Sequence, residues 1–219
     1  MSSCFNKVEG IGPIENTNRT IKNFTAVELE IPCNVTIAIS DEANCIVSAQ
    51  SNINEVIEIT NEGETLVIKS KKNIQATKPI EIILSTTTLN ELRVDGSGDI
   101  KVINPFKNDD VTVNVNGSGS IEMPVIANQL KTKINGSGEI KFSGKAEYHK
   151  IQINGSGTVK ALNLTADKCK IRINGSGEVE QTAESNLDIT IVGSGKVKYK
   201  GSPAIKSEVT GSGEVKKEN

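Results

Sequence analysis

Ile134-Asn135-Gly136-Ser137-Gly138-Glu139-Ile140 decides the fold. An apolar residue, an amide, a Gly-Ser-Gly triplet, a polar residue and a second apolar residue follow in that order. The order recurs, with small changes, at 94–100, 115–121, 153–159, 173–179, 191–197 and 209–215. The central serines are Ser97, Ser118, Ser137, Ser156, Ser176, Ser194 and Ser212, spaced by 21, 19, 19, 20, 18 and 18 residues. Seven copies at so constant a spacing mark a solenoid of stacked units.

On either side of each triplet the pattern alternates. Lys170, Arg172, Glu178 and Glu180 are polar where Ile171, Ile173 and Val179 are apolar, the period of a half-buried strand. Between strands the chain must turn, and glycine reaches the positive φ that a corner often needs. The corner glycines are Gly96 and Gly98, Gly117 and Gly119, Gly136 and Gly138, Gly155 and Gly157, Gly175 and Gly177, Gly193 and Gly195, and Gly211 and Gly213. A repeat near 19 residues gives a coil perimeter of about 60 Å, enough for two or three strands per turn. The expected fold is all-β: a right-handed β-helix or β-roll-like solenoid over 92–219, capped by an N-terminal β region over 12–91 and preceded by a segment at 1–11.

If coils stack in register, equivalent residues lie about 4.8 Å apart and form columns. The column before the triplet is Asp95, Asn116, Asn135, Asn154, Asn174, Val192 and Thr210. Stacked amides can hydrogen-bond up such a column, so Asn116, Asn135, Asn154 and Asn174 are read as a ladder. The column after it (Asp99, Ser120, Glu139, Thr158, Glu178, Lys196, Glu214) places no two acids side by side. The column two residues on (Lys101, Glu122, Lys141, Lys160, Glu180, Lys198, Lys216) leaves two Lys-Lys neighbours.

The first ninety residues lack the triplet but alternate as strands at 27–31, 35–39, 45–49, 56–59, 66–69 and 80–84. Cys33 and Cys45 are expected to flank a hairpin around Asp41-Glu42-Ala43-Asn44, out of register for a disulfide. One helical turn is expected between Asn52 and Glu58.

Composition excludes several classes of function. Aromatics make up 3% of the chain and Trp is absent, a thin Ile/Val/Leu core suited to a solenoid. With 25 basic and 27 acidic residues intermixed, no basic footprint for nucleic acid is visible. No 18-residue apolar run offers a transmembrane segment. The single histidine, His149, reads as a surface residue. No nucleophile–base pair, metal cluster or cofactor motif stands out, and a catalytic serine would not be repeated seven times, so no enzyme is expected. Gly-Ser-Gly is followed by a strand, not by the helix that phosphate loops need. Asp95-Gly96-Ser97-Gly98-Asp99 is the one unit with two acids, too few for a calcium roll. The Asn-Gly-Ser sequons are read as structural, regular Thr columns for an ice-binding face are absent, and Tyr148 and Tyr199 fall in different columns and build no sugar platform.

Ser2-Ser3-Cys4 has the form of the end of a bacterial lipoprotein signal, which makes Cys4 a candidate for lipidation. A chance cysteine in a disordered end is the alternative. Open coil ends allow oligomers, although the charged tail Lys216-Lys217-Glu218-Asn219 argues against end-to-end stacking there.

Val8-Glu9-Gly10-Ile11-Gly12-Pro13, Arg19-Thr20-Ile21-Lys22-Asn23-Phe24, Val35-Thr36-Ile37 and Leu66-Val67-Ile68, in this order ahead of the Gly-Ser-Gly repeats, resemble the putative auto-transporter adhesin family defined by the head GIN domain. The resemblance spans about residues 8 to 215. It implies an all-β protein of the bacterial cell envelope, outer-membrane lipoprotein or secreted, and brings no catalytic, cofactor or ligand residues. Two functions follow as expectations: an adhesin-like module whose flat polar face meets a surface glycan or protein, or a structural or regulatory envelope scaffold without a small-molecule ligand.

Overall fold

The structure, a computed structural model, describes residues 7–218. Cys4 lies outside the described residues. The elements in chain order are β1 (Lys7–Glu9), β2 (Ile14–Asn18), β3 (Ala26–Leu29), β4 (Asn34–Ile39), β5 (Asn44–Gln50), α1 (Ser51–Asn54), β6 (Ile57–Glu62), β7 (Thr65–Ser70), β8 (Asn73–Gln75) and β9 (Glu81–Thr86). The repeats supply β10 (Glu91–Gly96), β11 (Asp99–Val102), β12 (Phe106–Gly117), β13 (Ser120–Gly136), β14 (Glu139–Gly155), β15 (Thr158–Gly175), β16 (Glu178–Gly193), β17 (Lys196–Lys200), β18 (Ala204–Gly211) and β19 (Glu214–Lys217). The fold is a β-solenoid whose coils pair in parallel, triplet on triplet.

β13, β14, β15 and β16 each run unbroken for 16 to 18 residues, from one triplet to the next. One long strand therefore wraps each full coil, where the sequence suggested two or three separate ones. Hydrogen bonding to the coils on either side continues around the bends, so the bends do not end the strand. They show instead as skipped beats in the alternation: in β14 the inward residues are Ile140, Phe142, Ala146, His149, Ile151 and Ile153. Unequal repeat lengths are absorbed as bulges. Between Ala161 and Thr165, three residues of β15 face no partner in β16.

The two triplet glycines have different duties. The first of each pair carries φ between 116° and 125° in all seven units. The second does not have positive φ; it is small because the coil before it is close. A Cβ on Gly138 would stand 2.5 Å from Val115 Cγ1 and 2.7 Å from the Gly119 carbonyl oxygen. The expectation that both glycines serve the corner by positive φ thus holds for the first only, and packing between coils requires the second.

The N-terminal β region prolongs the solenoid as well as closing it. β3 lies between β7 and β10, and β4 between β9 and β11, all parallel. Two more coils therefore precede the first triplet, and they are interleaved: residues 65–86 form the outer one and 26–39 the inner one. β6 folds back on β7 as a hairpin through Gly63, and β2 and β5 extend the sheet antiparallel from β9. This overturns the expected β4–β5 hairpin. β9 sits between those strands, because its apolar Ile82 and Leu84 fill the core beside Val35, Ile37, Cys45 and Val47. Cys33, Cys45 and Cys169 are free and buried; burial pushes the thiols of Cys33 and Cys45 up to about 12 and about 11. The helical turn expected between Asn52 and Glu58 is α1, over Ser51–Asn54, at the start of the expected span.

Candidate functional site

The strand leading into each triplet turns alternate side chains outward, and stacking brings them onto one flat face. On three successive coils the outward residues are Lys131 and Lys133, then Lys150 and Gln152, then Lys170 and Arg172. The five cations are exposed. Lys131 is 3.6 Å from Asp110 and Lys170 is 3.3 Å from Asp188, at the two borders of the patch. Shallow grooves run between Lys131, Lys133, Lys150 and Gln152, and between Lys150, Gln152, Lys170 and Arg172. The intermixed charges of the linear sequence hid this patch. Reading residues two and four places before each column asparagine would have found it.

Along one margin of this face runs the amide column. Asn174 Nδ2 donates to Asn154 Oδ1 (3.0 Å), Asn154 to Asn135 (2.9 Å), Asn135 to Asn116 (2.8 Å), and Asn116 to Asp95 Oδ1 (2.6 Å). The chain of donors ends on a carboxylate, which also accepts from Arg93 Nε at 2.7 Å. Burial pushes the Asp95 carboxyl up, but the bonds from Asn116 and Arg93 and the Arg93 charge outweigh it, and the net direction is downward. With its oxygens so engaged, Asp95 is a terminus of this network and not a spare cation ligand. Replacing both Asn135 and Asn154 by alanine removes three of these bonds. We expect a loss of about 3 kcal/mol, at about 1 kcal/mol per bond, read as a lower melting temperature.

The remaining charge columns pair along and across the coils. Lys101 and Lys141 both reach Glu122 at 3.5 Å, Lys160 reaches back diagonally to Glu139 at 2.7 Å, and Lys198 bridges Glu178 and Glu180. The diagonal contacts relieve the Lys141–Lys160 and Lys198–Lys216 neighbours that the sequence placed in register. A further groove is lined by Asn128, Gln129, Glu147, Tyr148, Asp167 and Lys168 and is mixed in charge. Tyr148 stands opposite Gln129 and Lys168, while Tyr199 stands opposite Gln181 and Lys217.

His149 is not on the surface, as its polar neighbours in sequence suggested; it is completely buried. Its Nδ1 is 2.8 Å from Gln181 Oε1 and its Nε2 is 2.9 Å from Thr132 Oγ1. Gln181 Nε2 donates to the carbonyls of Leu164 and Thr182, which fixes Oε1 as the acceptor. The proton therefore sits on Nδ1, and Nε2 accepts from Thr132. Phe142 packs edge-on against the ring, with centroids 5.4 Å apart. Burial, only partly opposed by the bond to Gln181, pushes the imidazole down to about 4. Leu164 lies in the bulge of β15, so this network satisfies a carbonyl that the bulge frees from the ladder. His149 is a core residue.

The solved structures similar to this chain share the solenoid. A putative adhesin from Bacteroides fragilis NCTC 9343 superposes with a TM-score of 0.90 at 22% identity, covering 96% of this chain and 100% of that one. A putative lipid binding protein from Parabacteroides distasonis ATCC 8503 gives 0.82 at 26% identity, with 98% and 100% covered. A putative adhesin from Parabacteroides merdae ATCC 43184 gives 0.77 at 23% identity, with 97% and 99% covered. No curated protein matches by sequence. The family described as putative auto-transporter adhesin, head GIN domain, matches residues 23–203, and the chain belongs to that family.

Proposed function

We propose that this protein is a non-catalytic, adhesin-like module of the cell envelope, and that it holds acidic surface polymers on the face formed by Lys131, Lys133, Lys150, Lys170 and Arg172. One observation carries the reading: three coils in register set five exposed cations on one sheet face, with amide donors beside them. An extended polyanion with regularly placed carboxylates or sulfates matches such a surface better than a compact ligand would. Among the described residues Tyr148 and Tyr199 fall in different columns and build no aromatic platform, which disfavours neutral sugars, since these rely on stacking. Family membership supports an address on the envelope or outside the cell, and Cys4 remains the candidate lipid anchor.

The test is a panel of carboxylated, sulfated and neutral polysaccharides, matrix proteins, and vesicles with and without anionic lipid, read by surface plasmon resonance. Acidic polysaccharides are expected to bind, more weakly as salt rises. Lys133→Glu, Lys150→Glu and Arg172→Glu together are expected to weaken binding at least about tenfold, on the scale of electrostatic contacts. All three side chains are exposed, and none makes an ion pair among the described residues, so the fold should not change. Binding that ignores these substitutions would refute the site. Uniform silence would favour the alternative, a scaffold that spaces envelope partners. Binding confined to anionic vesicles would move the ligand from a polymer to a lipid surface, the chemistry named for the Parabacteroides distasonis relative.

A further inference from the structure

Among the described residues the last coil, β18 and β19, is covered on one side only. β16 and β17 pair with it on one side, and among the described residues nothing pairs with it on the other. Its register fixes what lies exposed. Ile205, Ser207 and Val209 stand opposite Leu187, Ile189 and Ile191, which are fully buried core residues. Ile205 and Val209 nevertheless keep 44% and 41% of their surface. The cross-section of the core is thus laid open at this end, beside a strand edge with unpaired backbone groups, an arrangement that natural sheets block or pair.

The phase of the ladder says which groups are free. Ala26 and Thr112 stand in the same column as Lys206, and their N–H groups donate backwards, to Glu64 and Asn90. Successive residues alternate sides along a strand. Lys206, Glu208 and Thr210 therefore point their backbone groups to β16, and Ile205, Ser207 and Val209 point theirs to the open end.

We propose that this edge pairs with the same edge of a second copy of the chain, antiparallel, about a two-fold axis through Ser207. The sequence Ile205-Lys206-Ser207-Glu208-Val209 is complementary to itself in that arrangement. Ser207 meets Ser207 of the partner subunit. Ile205 meets Val209 of the partner subunit on the core side, which closes both open cores. Lys206 meets Glu208 of the partner subunit on the outer side, twice by symmetry. The residues brought opposite one another are those whose N–H and C=O groups are free, so about six backbone hydrogen bonds can form, as an antiparallel ladder requires. A shift of one residue would set backbone groups already used by β16 against free ones. The interface is isologous and closes at two copies. The charged tail does not oppose it: residues 204–218 carry Lys206, Lys216 and Lys217 against Glu208, Glu214 and Glu218, a net charge of zero.

The experiment is sedimentation velocity on the purified chain over a concentration series, with charge-reversed variants. The wild type is expected to associate to a dimer. Lys206→Glu alone, or Glu208→Lys alone, sets like charges opposite one another at two places and is expected to weaken the dimer at least about tenfold. Lys206→Glu combined with Glu208→Lys restores both pairs in reverse and is expected to recover it. All of these side chains are exposed, and circular dichroism checks that each variant folds. A monomer at the highest soluble concentration would overturn the proposal. So would a dimer that the single reversals leave unchanged, or one that the double reversal fails to restore. None of these outcomes depends on ligand binding at the cationic face.

Discussion

Gly155→Ala is expected to be among the most damaging single substitutions in this chain, costing more than about 4 kcal/mol and lowering the melting temperature by about 10 °C or more at the usual rate for a protein of this size. Two penalties act together. Gly155 has φ of 124°, a conformation that L side chains rarely adopt, and a Cβ there would stand 2.5 Å from the carbonyl oxygen of Gly136. That oxygen already accepts from Ser156 N–H at 2.9 Å, while the Gly155 carbonyl accepts from Ser176 N–H, also at 2.9 Å. The methyl group would have to push apart two coils whose spacing is set by backbone hydrogen bonds on both sides. Gly63 is the natural control. Its φ is also positive, at 64°, but a Cβ would meet nothing within 4 Å, so Gly63→Ala should cost only about 1 kcal/mol. Thermal melts of the two variants decide the matter. Equal losses would mean that the close approach of the coils adds nothing to the cost.

His149 is expected to make the protein acid-sensitive in a defined window. The imidazole titrates near 4 when folded and near its ordinary 6.5 when the chain is unfolded. Below 6.5 the unfolded chain takes up a proton that the folded one refuses. Stability is therefore full above about pH 6.5, falls as pH drops towards 4, and loses nothing further through this residue below that. A difference of about two and a half units corresponds to a loss on the order of 3 kcal/mol. Denaturant titrations at steps of pH should trace it. His149→Leu should flatten that dependence. It should also destabilise at neutral pH by about 2 to 4 kcal/mol, because Thr132 and Gln181 are left buried without their partner. Replacing all three, as Thr132→Val, His149→Leu and Gln181→Leu, removes those orphaned groups but strands the Leu164 carbonyl. It should recover part of the loss, not all. An unchanged pH profile in His149→Leu would mean that acid sensitivity arises elsewhere.

The solenoid could be read from the sequence because the repeat acts locally. Each triplet sits a fixed distance from the next, each flank alternates, and every column then follows from counting. Counting found the amide column and the charge columns that the parallel register assembles. It failed where chain order and spatial order part. β9 slips between β4 and β5 and β3 slips between β7 and β10, and nothing near Asp41–Asn44 announces either, since pairing partners are chosen by core packing across 33 residues or more. It failed at His149 for a related reason. Tyr148 and Lys150 flank it in sequence, but the alternation skips a beat after Ala146, and that skip turns the imidazole inward. The partners that make burial tolerable, Thr132 on β13 and Gln181 two strands on in β16, become visible only with the register. The cationic face was overlooked because charges were weighed along the chain and not down the columns.

The interleaving of the first two coils gives assembly a direction. Residues 26–39 can be sandwiched only when 65–86 and 91–102 are both present, so nearly half the chain must be available before that end is complete. Such distant closures are entropically expensive and slow. Every later coil closes at about the repeat distance, on a template already formed. In a chain made from its N-terminus, the earliest segment waits, a nucleus then forms around it, and the remaining coils add one by one towards residue 218. Truncation from the C-terminal end would shorten the rod and leave the nucleus standing. Deletion within 65–86 would remove the step on which all later growth depends.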